Sequence, residues 1–255
     1  MKKKLVVGNL KMNPVSPAEF ERYLDMLERE SQNKKFERTE IVICPPAIYF
    51  DRLIRRKMKK VQLGTQNVFW EYQGAYTGEI SAAMMKAAGA QYAIVGHSER
   101  RKYFGEDENI INLKLKAILK AGLSAVLCIG ESLEERKDGQ TAPVLKKQIK
   151  DSLLGVGTGK AECITLAYEP IWAVGTDKTP TSDEILEAKL IIKKALTELF
   201  SKKAVEKMRV IYGGSVKSFL AKQVCLDPAM DGALIGRESL APHEFLKIAE
   251  IIDKN

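Results

Sequence analysis

Eight short apolar runs punctuate the chain: KLVVGN (4–9), EIVICP (40–45), VQLGTQ (61–66), AQYAIVG (90–96), LSAVLCIG (123–130), CITLAY (163–168), MRVIYGG (208–214) and DGALIG (231–236). Several are nearly continuous in their apolarity and rich in β-branched residues, the pattern of a parallel strand covered on both faces. Between most of them lie segments with helical apolar spacing. SPAEFERYLDMLER (16–29) opens with Ser16 and Glu19 in capping-box spacing and Pro17 at the first helical position. TSDEILEAKLIIKKALTELF (181–200) opens similarly with Thr181 and Glu184, and its Ile185, Ala188, Ile192, Ala195 and Leu199 share one helical face. Eight strand–helix alternations without a Gly/Pro/Ser-rich linker predict an α/β fold, a single-domain (β/α)8 barrel with a closed eight-stranded parallel sheet over residues 1–255. An open doubly wound sheet is the alternative. Against it, no G-x-G-x-x-G follows the first strand and no second domain is apparent.

Polar residues gather where these runs end: Asn9 and Lys11, Gln66 and Asn67, His97, Glu131, Glu169, and Gly213–Ser215. In a barrel those ends form one mouth, where catalytic groups occur. Alternation along the first strand puts Asn9 and Lys11 on one side and Leu10 on the other. The stretch AYEPIWAVGTDKTP (167–180) sets Glu169 just beyond a core strand. Burying an unpaired carboxylate is costly, so such a residue is paired, exposed or functional; a salt-bridged strand-end glutamate is the plain alternative. YGGSV (212–216) and IGRES (235–239) occupy the seventh and eighth strand ends, where barrels often bind phosphate through backbone N–H groups that glycine leaves accessible. Lys11, His97 and Glu169 then remain for chemistry. One carboxylate, one imidazole and one ammonium suit proton abstraction beside a carbonyl, with the lysine and histidine stabilising the resulting enediolate oxygen. A helix beginning at Ser98 would favour a neutral His97 ring.

Composition narrows this picture further. The 255 residues are 45% hydrophobic and 29% charged, ordinary for a globular chain with a full core. No stretch of about 20 apolar residues predicts a membrane span, and the apolar part of MKKKLVVGNLKM is too short for a secretory leader. Cys44, Cys128, Cys163 and Cys225 have no C-x-x-C spacing; the first three lie in strand-like runs, where free cysteine reads as a small hydrophobe, and a reducing cytoplasm is expected. With only two histidines, His97 and His243, a metal site would need a carboxylate pattern that the sequence does not show. The net charge of +8 comes from residues scattered over helical segments such as RRKMKK (55–60) and IIKK (191–194), without interleaved stacking aromatics. Nucleic-acid binding is therefore not expected, whereas attraction of a small anionic substrate is.

Six segments carry a family resemblance. GNLKMN (8–13), GAYTGEIS (74–81), GHSERR (96–101), CIGES (128–132), YEPIWAVGT (168–176) and YGGS (212–215) resemble, in order, the signature segments of triosephosphate isomerases. The resemblance extends from Val7 to the last helix. It implies cofactor-free interconversion of dihydroxyacetone phosphate and glyceraldehyde 3-phosphate in glycolysis and gluconeogenesis. Glu169 would shuttle the proton, neutral His97 would polarise the carbonyl, Lys11 would supply positive charge and Asn9 would orient it. The pairing of a glutamate base with a neutral histidine is that family's known pattern rather than a deduction from these residues. Glu99 would support the lysine, and Gly175, Ser215, Gly236 and Arg237 would offer backbone N–H groups to phosphate. Residues 170–180 would form a closing lid, which the tyrosine of YGGS, Tyr212, latches in the family through an N–H at the far hinge. Loop 66–79, with Thr77, would insert into a second copy to form a homodimer.

This chain departs from the family pattern at four positions. Leu10 stands at a usual tryptophan, Arg237 at the second glycine of a pair, Asp177 at a lid glycine and Pro180 at the far hinge. Pro180 has no N–H for Tyr212 to accept. Another phosphate-binding barrel isomerase or lyase, and a catalytically dead barrel kept for binding, are the rival readings.

Overall fold

The computed structural model describes residues 2–32, 34–173 and 178–254. Eight parallel strands follow the eight apolar runs: β1 (Lys4–Asn9), β2 (Thr39–Cys44), β3 (Val61–Thr65), β4 (Tyr92–Val95), β5 (Ser124–Ile129), β6 (Ile164–Tyr168), β7 (Arg209–Tyr212) and β8 (Gly232–Ile235). They close into a barrel in sequence order, β1 pairing with β2 on one side and with β8 on the other. Closure excludes the open doubly wound alternative.

The period of two in each strand separates two cores. Leu5, Val7, Val42, Cys44, Tyr92, Ile94, Val126, Cys128, Ala167, Ile211 and Leu234 fill the barrel interior. Their neighbours Val6, Ile41, Ile43, Val95, Leu127, Leu166 and Val210 face outward into the layer covered by helices. Leu10, at the usual tryptophan position, is fully buried in that outer layer, away from the barrel interior. The lower end of the barrel is closed by a polar cluster. Tyr92 Oη lies 2.5 Å and Arg209 Nη2 2.9 Å from the Glu40 carboxylate.

The capping signals locate the helices, with corrections in detail. Ser16 Oγ accepts the Glu19 N–H, but the Glu19 carboxylate takes the N–H of Val15 rather than that of Ser16, so the reciprocal box is incomplete around helix Pro17–Gln32. Thr181 and Glu184 form the full box that opens helix Ser182–Leu199. On that helix Ile185, Ala188, Ile192 and Ala195 are buried as expected, whereas Leu199 is exposed and Leu196 is buried instead. The chain turns extended at Phe200, whose ring takes the core position at the helix end. Of RRKMKK only Arg55 is helical, and Lys60 donates to the carbonyls of Ser31, Gln32 and Lys34.

Candidate active site

A cleft of ≈ 350 Å³ opens at the carboxyl ends of the strands. It is lined by Asn9, Lys11, His97, Glu169, Gly213, Gly214, Ser215, Gly236 and Arg237, together with Thr179, Val216, Lys217, Phe219, Leu220, Leu234, Ile235 and Glu238. Strand alternation explains the aim of Glu169. Ala167 points into the barrel, so Glu169, two residues on, turns toward its mouth. His97 arrives differently. Gly96, with φ +72°, bends the chain just past β4, a conformation that a side chain there would strain.

Glu169 is only 2% exposed and His97 only 6%. Glu169 Oε1 lies 3.3 Å from His97 Nε2, and its Oε2 accepts the Ser98 N–H at 3.1 Å. His97 caps helix Ser98–Phe104, its Nδ1 accepting the Glu99 N–H at 3.3 Å. With Nδ1 accepting, the proton of a neutral ring sits on Nε2, the atom facing the carboxylate and the cleft. A third neighbour of Glu169 escaped the sequence reading. The Cys128 thiol lies beside the Glu169 carboxylate; burial, then the charge of Glu169, pushes that thiol well above its ordinary range. Gly213 fits against the same side chain, since a Cβ there would stand 2.7 Å from Glu169 Cγ.

Lys11 holds an unusual backbone for a non-glycine residue, φ +53°. Its N–H donates to Asn9 Oδ1 at 3.0 Å, and its carbonyl accepts from Gln66 Nε2 at 2.8 Å, a side chain that also reaches the Cys44 carbonyl. The ammonium is 2.6 Å from Glu99 Oε1. Gly236 gives it room, because a Cβ there would lie 3.2 Å from Lys11 Cε. Ser239 Oγ ties the two loops together by donating to the carbonyls of Asn9 and Gly236.

Three strand-end residues singled out in the sequence do not line the cleft. Gln66 supports the Lys11 backbone, and Asn67 Oδ1 accepts from Lys114 Nζ at 2.7 Å. Glu131 is fully buried and binds Tyr168 Oη at 3.0 Å, Trp172 Nε1 at 2.9 Å and Arg136 Nη1 at 3.3 Å. It anchors the segment that follows Glu169, whose Ile171 N–H meets the Glu131 carbonyl at 3.0 Å. Gly175 and Asp177 lie outside the described residues.

Beyond them, Thr179 lines the cleft and Pro180 is buried, its carbonyl accepting from Gln223 Nε2 at 3.1 Å. Tyr212 is fully buried, and its hydroxyl has no hydrogen-bond partner among the described residues. An unsatisfied buried hydroxyl costs about 1–3 kcal/mol. Tyr212→Phe is therefore expected to leave the melting temperature unchanged or raised in calorimetry, and to lower kcat/KM by less than about tenfold. A hundredfold loss would mean that the hydroxyl finds an essential partner during turnover.

Comparison with known proteins agrees along nearly the whole chain. The family described as triosephosphate isomerase matches residues 4–252. A triosephosphate isomerase of Alkaliphilus oremlandii is 41% identical over 249 residues, 97% of this chain and 99% of that protein. Those of Carboxydothermus hydrogenoformans and Dictyoglomus turgidum are 41% and 39% identical, each over at least 97% of this chain and 99% of their own length. A closed eight-stranded barrel with this order of segments, matched from its first strand to its last helix, places the chain among the enzymes of the triosephosphate isomerase family.

Proposed function

We propose that the chain interconverts dihydroxyacetone phosphate and D-glyceraldehyde 3-phosphate through an enediolate, in the cytoplasm and without a cofactor. The observation that carries this reading is the convergence of Lys11, His97 and Glu169 on one cleft, with Glu169 Oε1 3.3 Å from His97 Nε2. In the forward direction the Glu169 carboxylate leaves the Ser98 N–H and takes the proton from the carbon beside the carbonyl. His97 Nε2–H donates to the carbonyl oxygen as negative charge develops there, and Lys11 stabilises the same charge. Glu169 returns the proton to the neighbouring carbon, and His97 recovers its own from the other oxygen. Asn9 fixes Lys11 through the bond to its N–H. Backbone N–H groups of Ser215, Gly236 and Arg237, with Gly175, hold the phosphate. Segment 170–180 closes over the substrate and excludes water, hinged between the Glu131–Trp172 bond and the Gln223–Pro180 bond.

A coupled assay with glyceraldehyde 3-phosphate tests the proposal. Turnover without added metal or cofactor is the expected result. Absence of turnover in folded protein would favour a barrel acting on another sugar phosphate, or one retained for binding.

The exposed apolar surface supports assembly as a homodimer. Tyr72 is 70% and Tyr76 45% exposed on loop 66–79, whose residues 71–79, Thr77 included, are all solvent-facing. Phe69 stacks on Trp70 with ring centroids 4.0 Å apart, giving the loop a rigid aromatic base. Met12, Val15 and Ile48 are more than 80% exposed, the kind of apolar surface that a second copy covers. Sedimentation equilibrium at micromolar concentration is expected to give twice the chain mass, and an active monomer would overturn the dimer.

A further inference from the structure

The cleft has a second ring of charge outside the groups used above. Lys217 and Arg237 both line it, and both are solvent-exposed. Lys217 lies two residues beyond Ser215 at the end of β7, and Arg237 directly follows Gly236 at the end of β8. Each is thus the next cation outward from one of the two phosphate loops. Among the described residues neither forms an ion pair, although Glu238 lines the same cleft beside Arg237. Lys11, by contrast, is held by Glu99. Lys217 is steered by a ring instead, its Nζ 5.7 Å from the centroid of Phe219, which is itself 76% exposed at the rim. Two cations at one mouth without an ion pair among the described residues, one of them a planar guanidinium, form a receptor for a compact anion.

We infer that Lys217 and Arg237 form a second anion subsite beside the phosphate loops, and that the cleft binds small diphosphates there, one phosphoryl group on the backbone N–H groups and the other on the two side chains. Such compounds compete with the monophosphate substrate. Arg237 then serves both subsites, with its N–H toward the inner phosphoryl group and its guanidinium toward the outer. The inference rests on the reading that Ser215 and Gly236 hold a phosphate.

The test compares inorganic phosphate with pyrophosphate at constant ionic strength. Binding is measured by titration calorimetry and, separately, by competitive inhibition of triose phosphate turnover. Pyrophosphate is expected to bind at least about tenfold tighter than phosphate to the unaltered protein. In the double variant Lys217→Gln, Arg237→Gln that ratio is expected to fall below about threefold, with each single variant in between. A ratio below threefold in the unaltered protein, or one unchanged in the double variant, overturns the inference. So does an equal loss for both anions, which would assign the two cations to the inner phosphate. Calorimetry separates this outcome from that of the proposed activity. A protein that shows the pyrophosphate preference without turning over triose phosphate keeps the subsite and loses the activity. One that turns over substrate with a flat ratio does the reverse. A protein that binds neither anion refutes both the inner and the outer subsite.

Discussion

Glu169→Gln is expected to lower kcat by roughly 10²–10⁴-fold, the usual contribution of a positioned general base. The substitution keeps side-chain length, and its amide oxygen can still accept the Ser98 N–H that Glu169 Oε2 now accepts at 3.1 Å. It removes the basic lone pair together with the negative charge, and turns an NH2 donor toward His97 Nε2, now 3.3 Å from Glu169 Oε1. Affinity for a phosphate-bearing inhibitor should therefore change by less than about threefold, because the loops after β7 and β8 are untouched. Glu169→Asp probes the other requirement. It withdraws the carboxylate by about 1.5 Å, one bond length. The shortened side chain retains a base but misplaces it, and should also lose most of the activity. Steady-state kinetics with inhibitor titration decides the matter. Turnover of Glu169→Gln within about threefold of the unaltered protein would remove Glu169 from the role of base.

Lys11→Met carries the second large effect. Methionine preserves the apolar stem and deletes the ammonium, so the loss reports charge rather than packing. Removing a single group that stabilises developing negative charge typically costs about 10²–10³ in rate, and that is the fall expected in kcat. KM should rise as well, since the deletion leaves Glu99, now 2.6 Å from Lys11 Nζ, as an unopposed carboxylate beside an anionic substrate. Pairing the change with Glu99→Gln separates the two causes: KM should partly recover while kcat stays low. A kcat of Lys11→Met within about tenfold of the unaltered enzyme would show that the charge is supplied elsewhere.

The barrel was legible because its strands are nearly pure apolar segments of similar length, and because eight such segments with intervening helices have few ways to bury both strand faces. Asn9 and Lys11 were legible from alternation, which aims every second residue at one axis, and Glu169 from its place just beyond a core strand. The set of one carboxylate, one imidazole and one ammonium suggested proton abstraction, but the individual roles came from resemblance, since no spacing distinguishes a catalytic strand-end carboxylate from a structural one. Glu131 illustrates the limit. It ends β5 much as Glu169 ends β6, yet it lies under the following segment and binds Tyr168 and Trp172. The contact between Cys128 and Glu169 was hidden for a different reason. It joins two adjacent strands, and cysteine in an apolar run reads as a hydrophobe until its neighbour in the ring is known. Leu199 misled because periodicity cannot announce where a helix stops contributing to its own face.

The pairing of β1 with β8 has a consequence for how the chain is made. Leu5 stands opposite Gly232, so the sheet is completed only by joining its first strand to its last. During synthesis from the amino end, β1 presents an open edge until β8 has left the ribosome. The newest strand presents another. A truncated product lacking β8 would keep both edges permanently, one on β1 and one on β7, and would pair with other chains instead of with itself. Partial translation products of this protein should therefore be targets for chaperones and proteases rather than small, independently folded fragments.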